Sequence, residues 1–481
     1  MRREPSRYAA DVAALHPLPA LAGRDLQVPL AAGGAKRYVN LDLAASAPAM
    51  EAVVEAVTAA LPWYSSVHRG AGFASQTSTR LYEAARLAVH RFVNAGDDDV
   101  VIFVRNTTDA LNTLAHALRI APGEVVLTTA VEHHANLLPW RRVAEVVHIP
   151  PPPAPEALLD ATQEAMRRHD VKVVAMTGAS NVTGEVFPIA EVAAIAHAAG
   201  ALFVVDAAQL APHRAIDMQR DGIDCLAISG HKMYAPFGAG ALVAPRRLLE
   251  DADPLLAGGG AVDFVTLDDV LWTHLPDRHE AGSPNVLGAV ALGAACTELE
   301  RCGMDAVALH ERDLLSHLDA RLDGIPQVTV HRLWRGDGID RLGVCTFTVA
   351  GLHHALVAAA LSAEHAIGVR HGCFCAHPYI THLLGITPRQ ATEVRNELRR
   401  GEHAHVPGAV RASFGIGTTH EDVDALCDAL DGLTARGPRL DYVQDHATGD
   451  FLPTTDLRSF PRFDSLPDLD AARGAGGCGS F

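Results

Sequence analysis

From about residue 50 to residue 245 the chain alternates between short, nearly unbroken apolar runs and longer stretches whose apolar positions recur every three or four residues. The runs VVIFV (100–104), EVVLTT (124–129), EVVHI (145–149), VKVVAMTG (171–178), ALFVVDAAQ (201–209) and CLAISGHK (225–232) are rich in β-branched residues and too short for buried helices. They predict strands. TDALNTLAHAL (108–118), EHHANLLPWRRVA (132–144), LLDATQEAMRRH (158–169) and PIAEVAAIAHAAG (188–200) predict the helices between them. Apolar strands with helical crossovers imply an α/β fold with a mostly parallel sheet covered on both faces. Such sheets bind ligands at the carboxyl ends of their strands.

After about residue 286 the pattern changes. A long helix is expected from NVLGAVALGAACTELERCG (285–303) into ALHERDLLSHLDARL (308–322). A smaller α+β unit follows, carrying TFTVAG (346–351), GVRHGCFCAHP (368–378) and VRASFGIG (410–417). The stretch from about residue 440 is rich in Asp, Pro and Gly and ends GAGGCGSF, which reads as a flexible tail. The expected organisation is an N-terminal segment (1–40), a large domain (41–290), a small C-terminal domain (291–438) and the tail (439–481).

Composition narrows the function classes. A hydrophobic fraction of 48% marks a globular chain, and a net charge of −17 argues against a nucleic-acid or anionic-membrane surface. No apolar stretch reaches membrane-spanning length. The basic N-terminus lacks the apolar core of a signal peptide. Eight scattered cysteines do not form a disulfide framework, so a reducing cytoplasm is expected.

Polar groups collect at the strand ends. Lys232 closes an apolar strand, where a cation is costly to desolvate. A covalent bond to an aldehyde such as pyridoxal phosphate (PLP) keeps it there, and an apolar site lowers its pKa and sharpens it as a nucleophile. Alone, Ser-Gly-His-Lys also describes a surface lysine. Arg105-Asn106-Thr107-Thr108-Asp109 follows a strand and opens a helix, which suits either a phosphate or an ordinary N-cap. His133 offers a flat ring or a proton relay. Asn181 is placed to bond a phenolic oxygen or to make a turn. Asp206 ends ALFVVD; a carboxylate beside a pyridine nitrogen keeps the nitrogen protonated. Gln209 follows three residues later. Downstream, Cys375 sits between arginine and histidine in Arg370-His371-Gly372-Cys373-Phe374-Cys375-Ala376-His377. That setting suits a reactive thiolate. No second cysteine pair completes a zinc site, so no metal is expected. Arg411 has the bidentate geometry for an amino-acid carboxylate or for an ion pair.

Ten ordered motifs between residues 40 and 430 resemble the class V, fold-type I PLP enzymes, and within them the SUF-type cysteine desulfurases and selenocysteine lyases. They are LDLAASAP (41–48), VHRGAG (67–72), RNTT (105–108), EHHANLLPW (132–140), SNVTG (180–184), VDAAQ (205–209), SGHKMYAP (229–236), EAGSPN (280–285), the Cys375 segment and RAS (411–413). The resemblance implies a large PLP domain built on a seven-stranded sheet and a smaller C-terminal domain. It implies that Lys232 holds PLP, His133 stacks on its ring and assists proton transfer, and Asp206 pairs with the ring nitrogen. Asn181 and Gln209 would meet the phenolic oxygen. Thr107, Thr108, Ser229 and His231 would surround the phosphate, which Ser283 would reach from the second subunit of a homodimer. Arg411, Arg370, Asn181 and His68 would bind the substrate, L-cysteine or selenocysteine. His68 and Arg69 would also lie near the dimer interface. Cys375 would accept the sulfur as a persulfide before an acceptor protein or thiol removes it. Iron–sulfur cluster assembly is one destination for that sulfur. Aminotransferases and epimerases of the same class are the alternative, and they do not need Cys375. Asn106 stands where the family usually has glycine, and Ser283 where it has threonine. Cys373 and Phe374 replace the polar residues that often precede the reactive cysteine, which leaves open which thiol carries the persulfide. Cys478 in the tail is a further thiol able to receive sulfur.

Overall fold

The computed structural model of the 481-residue chain describes residues 17–336, 338–463 and 465–466. The apolar runs form β1 (Asp99–Val104), β2 (Val125–Thr129), β3 (Glu145–Ile149), β4 (Val171–Thr177), β5 (Leu202–Asp206), β6 (Cys225–Ser229) and β7 (Gly240–Pro245). They make one seven-stranded sheet in the order β1-β7-β6-β5-β4-β2-β3. β7 is antiparallel to both its neighbours, and the remaining pairs are parallel. The expected α/β fold class holds. β4 illustrates why the strands read as continuous apolar runs: Val174 and Met176 point into one core, Val173 and Ala175 into the other.

Helices α1 (Phe73–Phe92) and α2 (Thr107–Ala117) flank this sheet. The stretch 132–144, expected as a helix, is two short 3₁₀ turns, His134–Asn136 and Trp140–Arg142. Pro139 has no N–H to give to a helix and restricts the residue before it. The side chains of Glu132, Asn136 and Trp140 bond one another: Asn136 Nδ2 donates to Glu132 Oε2 at 2.8 Å and Trp140 Nε1 to Asn136 Oδ1 at 3.0 Å. The single long helix expected after residue 286 is also divided. Gly303, at φ 82°, separates α3 (Val286–Cys302) from α4 (Met304–Leu322).

The C-terminal unit is a four-stranded antiparallel sheet, β8 (Val328–His331), β9 (Val344–Val349), β10 (Arg370–Gly372) and β11 (Ala409–Ser413), in the order β8-β9-β11-β10. With α5 (His354–His365) and α6 (His420–Arg436) it encloses a second core containing Leu318, Phe347, Leu361 and Leu430. Val39 and Leu41 belong to this core, because Val39–Asn40 pairs in parallel with Ile367–Gly368. The boundary read at residues 290–291 lies inside α3, whose Ala291, Leu292 and Leu299 pack in the large core.

Part of the expected tail is ordered. β12 (Tyr442–Gln444) and β13 (Phe451–Pro453) form an antiparallel hairpin. Glu364 of α5 anchors it, accepting from the backbone N–H of Arg439 and Leu440 and from the Tyr442 hydroxyl at 3.0–3.2 Å. The expectation of a flexible tail is corrected for these residues. Cys478, the GAGGCGSF terminus and residues 1–16 lie outside the described residues.

Candidate active site

The carboxyl ends of β4, β5 and β6 and the N-terminus of α2 open into a cavity of about 440 Å³. Its far wall comes from the C-terminal unit: Arg370, Cys373, Cys375 and Arg411. Thirteen of the fourteen site residues named from the sequence thus divide simply: twelve line this cavity, and His68 does not. Ser283, the fourteenth, is also elsewhere.

At one corner the chain leaves β1 through Asn106, whose side chain caps α2 by accepting from Asp109 N. Ser229 Oγ receives Thr107 N at 2.8 Å and donates to Thr107 Oγ1 at 2.9 Å, joining β6 to the helix start. Gly240 permits that approach: a Cβ there would lie 2.8 Å from Asn106 Cα. Thr107 and Ser229 are buried and Thr108 is exposed, so the helix N-terminus presents its hydroxyls and positive dipole end to the cavity. His231 lines the same corner, and burial beside Lys232 lowers its pKa to about 4.

Lys232 ends the floor. Its ammonium has no hydrogen bond to the described residues, and burial lowers its pKa to about 8, with Asp206 acting in the opposite sense. Asp206 is buried and takes one N–H, from Ala208 to Oδ1 at 3.0 Å; its burial raises its pKa and Lys232 lowers it. His133 sits between. Its Nδ1 accepts from Ala135 N at 3.1 Å, and burial together with Lys232 holds its pKa near about 3. The imidazole is neutral at any working pH. Beneath it, wholly buried Glu132 also receives Thr129 Oγ1 at 2.7 Å, and burial raises its pKa to about 8. Gln209 Nε2 donates to Ala44 O at 2.7 Å, while Gln209 Oε1 is buried without a partner.

The thiol end is a tight turn. Ala376 N donates to Cys373 O at 2.9 Å, and Phe374 and Cys375 between them both have positive φ, 53° and 55°. These are the marks of a type I′ turn, normally made by Asn and Gly. Non-glycine residues there cost on the order of 1–3 kcal/mol each. Three contacts hold the turn: Asn181 Nδ2 donates to Phe374 O at 2.8 Å, His134 N donates to Cys375 O at 2.8 Å, and the Arg411 guanidinium lies 5.0 Å from the Phe374 ring centroid. Cys375 is exposed to the cavity and Cys373 half-buried.

Arg370 and Arg411 stand opposite each other across β10 and β11. Like charges so placed repel. Asp42 lies between them, with Oδ1 3.2 Å from Arg411 Nη2 and Oδ2 3.8 Å from Arg370 Nη1. Burial raises the Asp42 pKa and the two guanidiniums pull it down. Two cations share one carboxylate, which leaves positive charge for a ligand carboxylate. Asp42 was missed as a site residue because its partners lie 328 and 369 positions away. Thr448 and Gly449 were missed too; they line the cavity from a hairpin read as tail.

Ser283 and His68 gather round a second cavity of about 590 Å³. There Arg69 Nη2 donates to Val262 O at 3.0 Å and His68 Nε2 bonds Glu83 Oε1 at 3.0 Å.

The family model described as "Aminotransferase class-V" matches residues 39–426. The chain belongs to the aminotransferase class-V family. Within it, the chain is 35% identical over 402 residues to a probable cysteine desulfurase of Halalkalibacterium halodurans, covering 82% of this chain and 92% of that protein. It is also 35% identical to a probable cysteine desulfurase of Halobacterium salinarum, over 83% and 92% of the two chains. Among solved structures it is similar to the apo cysteine desulfurase of Thermococcus onnurineus, with a TM-score of 0.73 at 31% identity over 83% of this chain and 95% of that one. It is similar to the cysteine desulfurase CsdA of Escherichia coli, in its S-sulfonic acid form, with a TM-score of 0.70 at 32% identity over 90% and 98%. The class V family is generally PLP-dependent, and the residues of this cavity fit that cofactor. The unpaired Lys232 amine, the free Asp206 Oδ2 and the hydroxyls of the α2 terminus supply what an aldehyde, a pyridine nitrogen and a phosphate require. Among the described residues, no His, Cys, Asp and Glu cluster could hold a metal ion, and no helix is long and apolar enough to cross a membrane.

Proposed function

We propose that the protein is a PLP-dependent cysteine desulfurase that converts L-cysteine to L-alanine and stores the sulfur as a persulfide on Cys375. One observation carries this reading: Cys375 opens onto the same cavity as Lys232, Asp206 and His133. A transaminase or epimerase has no use for that thiol. Bound at Lys232, PLP supplies a sink for the electron pair left at the substrate α-carbon.

The chain's own residues do the rest. Asp206 keeps a proton on the pyridine nitrogen. Thr107, Thr108, Ser229 and His231 take the phosphate. Asn181 has a second amide hydrogen for the phenolic oxygen. His133 gives a neutral flat face, and Lys232 is the base in reach of the α-proton. Arg411 and Arg370 hold the substrate carboxylate. The Cys375 thiolate attacks the substrate sulfur: an S–S bond forms, the C–S bond breaks with its electron pair going to carbon, and a proton at that carbon completes alanine. L-Cysteine and Cys375–SH thus become alanine and Cys375–S–SH with every atom accounted for.

A homodimer is part of the reading. Ser283, His68 and Arg69 would serve the partner's site, and the exposed Trp63, Tyr64 and Phe73 near this second cavity give a second copy apolar surface to cover. An acceptor protein or thiol would remove the sulfur, in a reducing cytoplasm.

The test is peptide mass spectrometry after incubation with L-cysteine and no reductant. One extra sulfur on Cys375 with alanine alongside is expected. Cys375→Ala should keep the PLP–lysine absorbance and lose desulfuration; wild-type desulfuration in that variant would overturn the assignment.

A further inference from the structure

Seven cysteines are described, and five of them, Cys225, Cys296, Cys302, Cys345 and Cys427, are buried. Burial pushes those five thiols up from the ordinary value, which makes them inert. The other two open onto one cavity, and they are two residues apart on one turn. Cα atoms flanking a single residue are at most about 7 Å apart, and a turn brings them closer. That falls in the roughly 4.4–6.8 Å range a disulfide spans. The left-handed backbone at Phe374 and Cys375 is strained, and hydrogen bonds from Ala376, Asn181 and His134 over-determine it. Strain maintained this way fixes the backbone that carries both cysteines. The proposed persulfide chemistry uses only Cys375.

We propose that Cys373 is the resolving thiol of this site: it discharges the Cys375 persulfide as hydrosulfide and leaves a Cys373–Cys375 disulfide. The step rests on the desulfurase reading above. The Cys373 thiolate attacks Cys375 Sγ. A new S–S bond forms, the bond from Cys375 Sγ to the outer sulfur breaks, and the electron pair leaves with hydrosulfide. The outer sulfur is reduced from the sulfane to the sulfide level as the two cysteine sulfurs are oxidised, so no outside oxidant enters. Hydrosulfide is a better leaving group than a cysteine thiolate, which favours attack on the inner sulfur. Attack on the outer sulfur would move the persulfide from an exposed thiol to a half-buried one, away from any acceptor. The consequence is a self-limiting enzyme. Without an acceptor, each site turns over once and waits for a thiol reductant; an acceptor that reaches Cys375 first takes the sulfur before resolution.

The test uses the full PLP-loaded chain without air or reductant, given less than one equivalent of L-cysteine per site. Alanine, hydrosulfide and non-reduced peptides are then measured. In wild type, hydrosulfide should match alanine and a linked Cys373–Cys375 peptide should appear. In Cys373→Ser, hydrosulfide per alanine should fall at least about tenfold, with sulfur retained on Cys375. Cys373→Ala, checked by its PLP–lysine absorbance, repeats the comparison should the serine disturb the turn. Alanine with a stable Cys375 persulfide and no linked peptide in wild type would overturn the inference alone. Equal hydrosulfide per alanine in wild type and both variants would do the same. No alanine from wild type would overturn the desulfurase reading, and the inference with it.

Discussion

At the scale of single residues, the site is governed by what burial does to charge. Lys232 shows it most directly. With a pKa of about 8 its amine is neutral in about a tenth of molecules at pH 7, against about four in ten thousand for an ordinary lysine. Mixing apoprotein with PLP should therefore give covalent uptake whose rate rises about tenfold between pH 7 and pH 9 and then levels off. Absorbance traces from pH 6.5 to pH 10 would check this; a rate still climbing roughly sevenfold between pH 9 and pH 10 would mean that the amine is solvated. Asp206 tests the other end of the cofactor site. Asp206→Asn keeps the shape but loses the charge that holds the pyridine proton, so alanine formation should drop on the order of 10²-fold while PLP still binds. An unchanged rate would remove Asp206 from the mechanism. Lys232 and Asp206 were legible in the sequence because Asp206 ends an apolar strand and Lys232 follows one after a single 3₁₀ turn, where a buried charge is expensive and needs a reason. Asp42 was not, because its reason is two arginines brought beside it only by β10 and β11.

At the scale of elements, the strands were the readable part. Both faces of the sheet are covered, so the strand interiors are mostly apolar, and a short run is enough to see. The segment 132–144 misled because its apolar spacing is helical while Pro139 and the Glu132–Asn136–Trp140 bonds favour turns. The hairpin of β12 and β13 was invisible for a different reason. DYVQDHATGDFLP is polar, and its order comes from outside itself. Glu364 holds its first strand, His403 N donates to His446 O at 2.8 Å, and Gln444 Nε2 donates to Ala404 O at 3.0 Å. Glu364→Ala should release it. The loss of hydrogen bonds to a buried carboxylate costs about 1.5–3 kcal/mol. Trypsin should then cut after Arg439 faster, and the KM for L-cysteine should rise because Thr448 and Gly449 no longer wall the cavity. Unchanged proteolysis and KM in that variant would show that the hairpin neither depends on Glu364 nor shapes the site.

At the scale of the whole molecule, the site exists only where two cores meet. The cofactor end is carried by the seven-stranded sheet, and the thiol and both arginines by the four-stranded one. The relation between the two units therefore sets the distance from Cys375 to Lys232. A buried cluster behind the cavity ties them. Glu311 of α4, wholly buried, pairs with His213 and receives Arg214 Nη1 at 2.9 Å. Arg214 also grips Asp340 through two 2.9 Å bonds, just before β9. Burial alone would raise the Glu311 pKa, but His213 and Arg214 outweigh it and the carboxyl lies below its ordinary value. A depressed carboxyl contributes stability that is present above the unfolded value of about 4.5 and is lost as pH falls through the folded one. Glu311→Gln leaves the Arg214 charge buried with one partner fewer. It should cost about 3–5 kcal/mol at pH 7. The gap between wild type and variant in urea midpoint should then shrink steadily as pH drops below about 4.5. A gap that stays constant down to pH 3 would mean that Glu311 holds the two cores together by shape alone. In that case its charge, the Arg214 pair and the acid limb of stability would have separate causes.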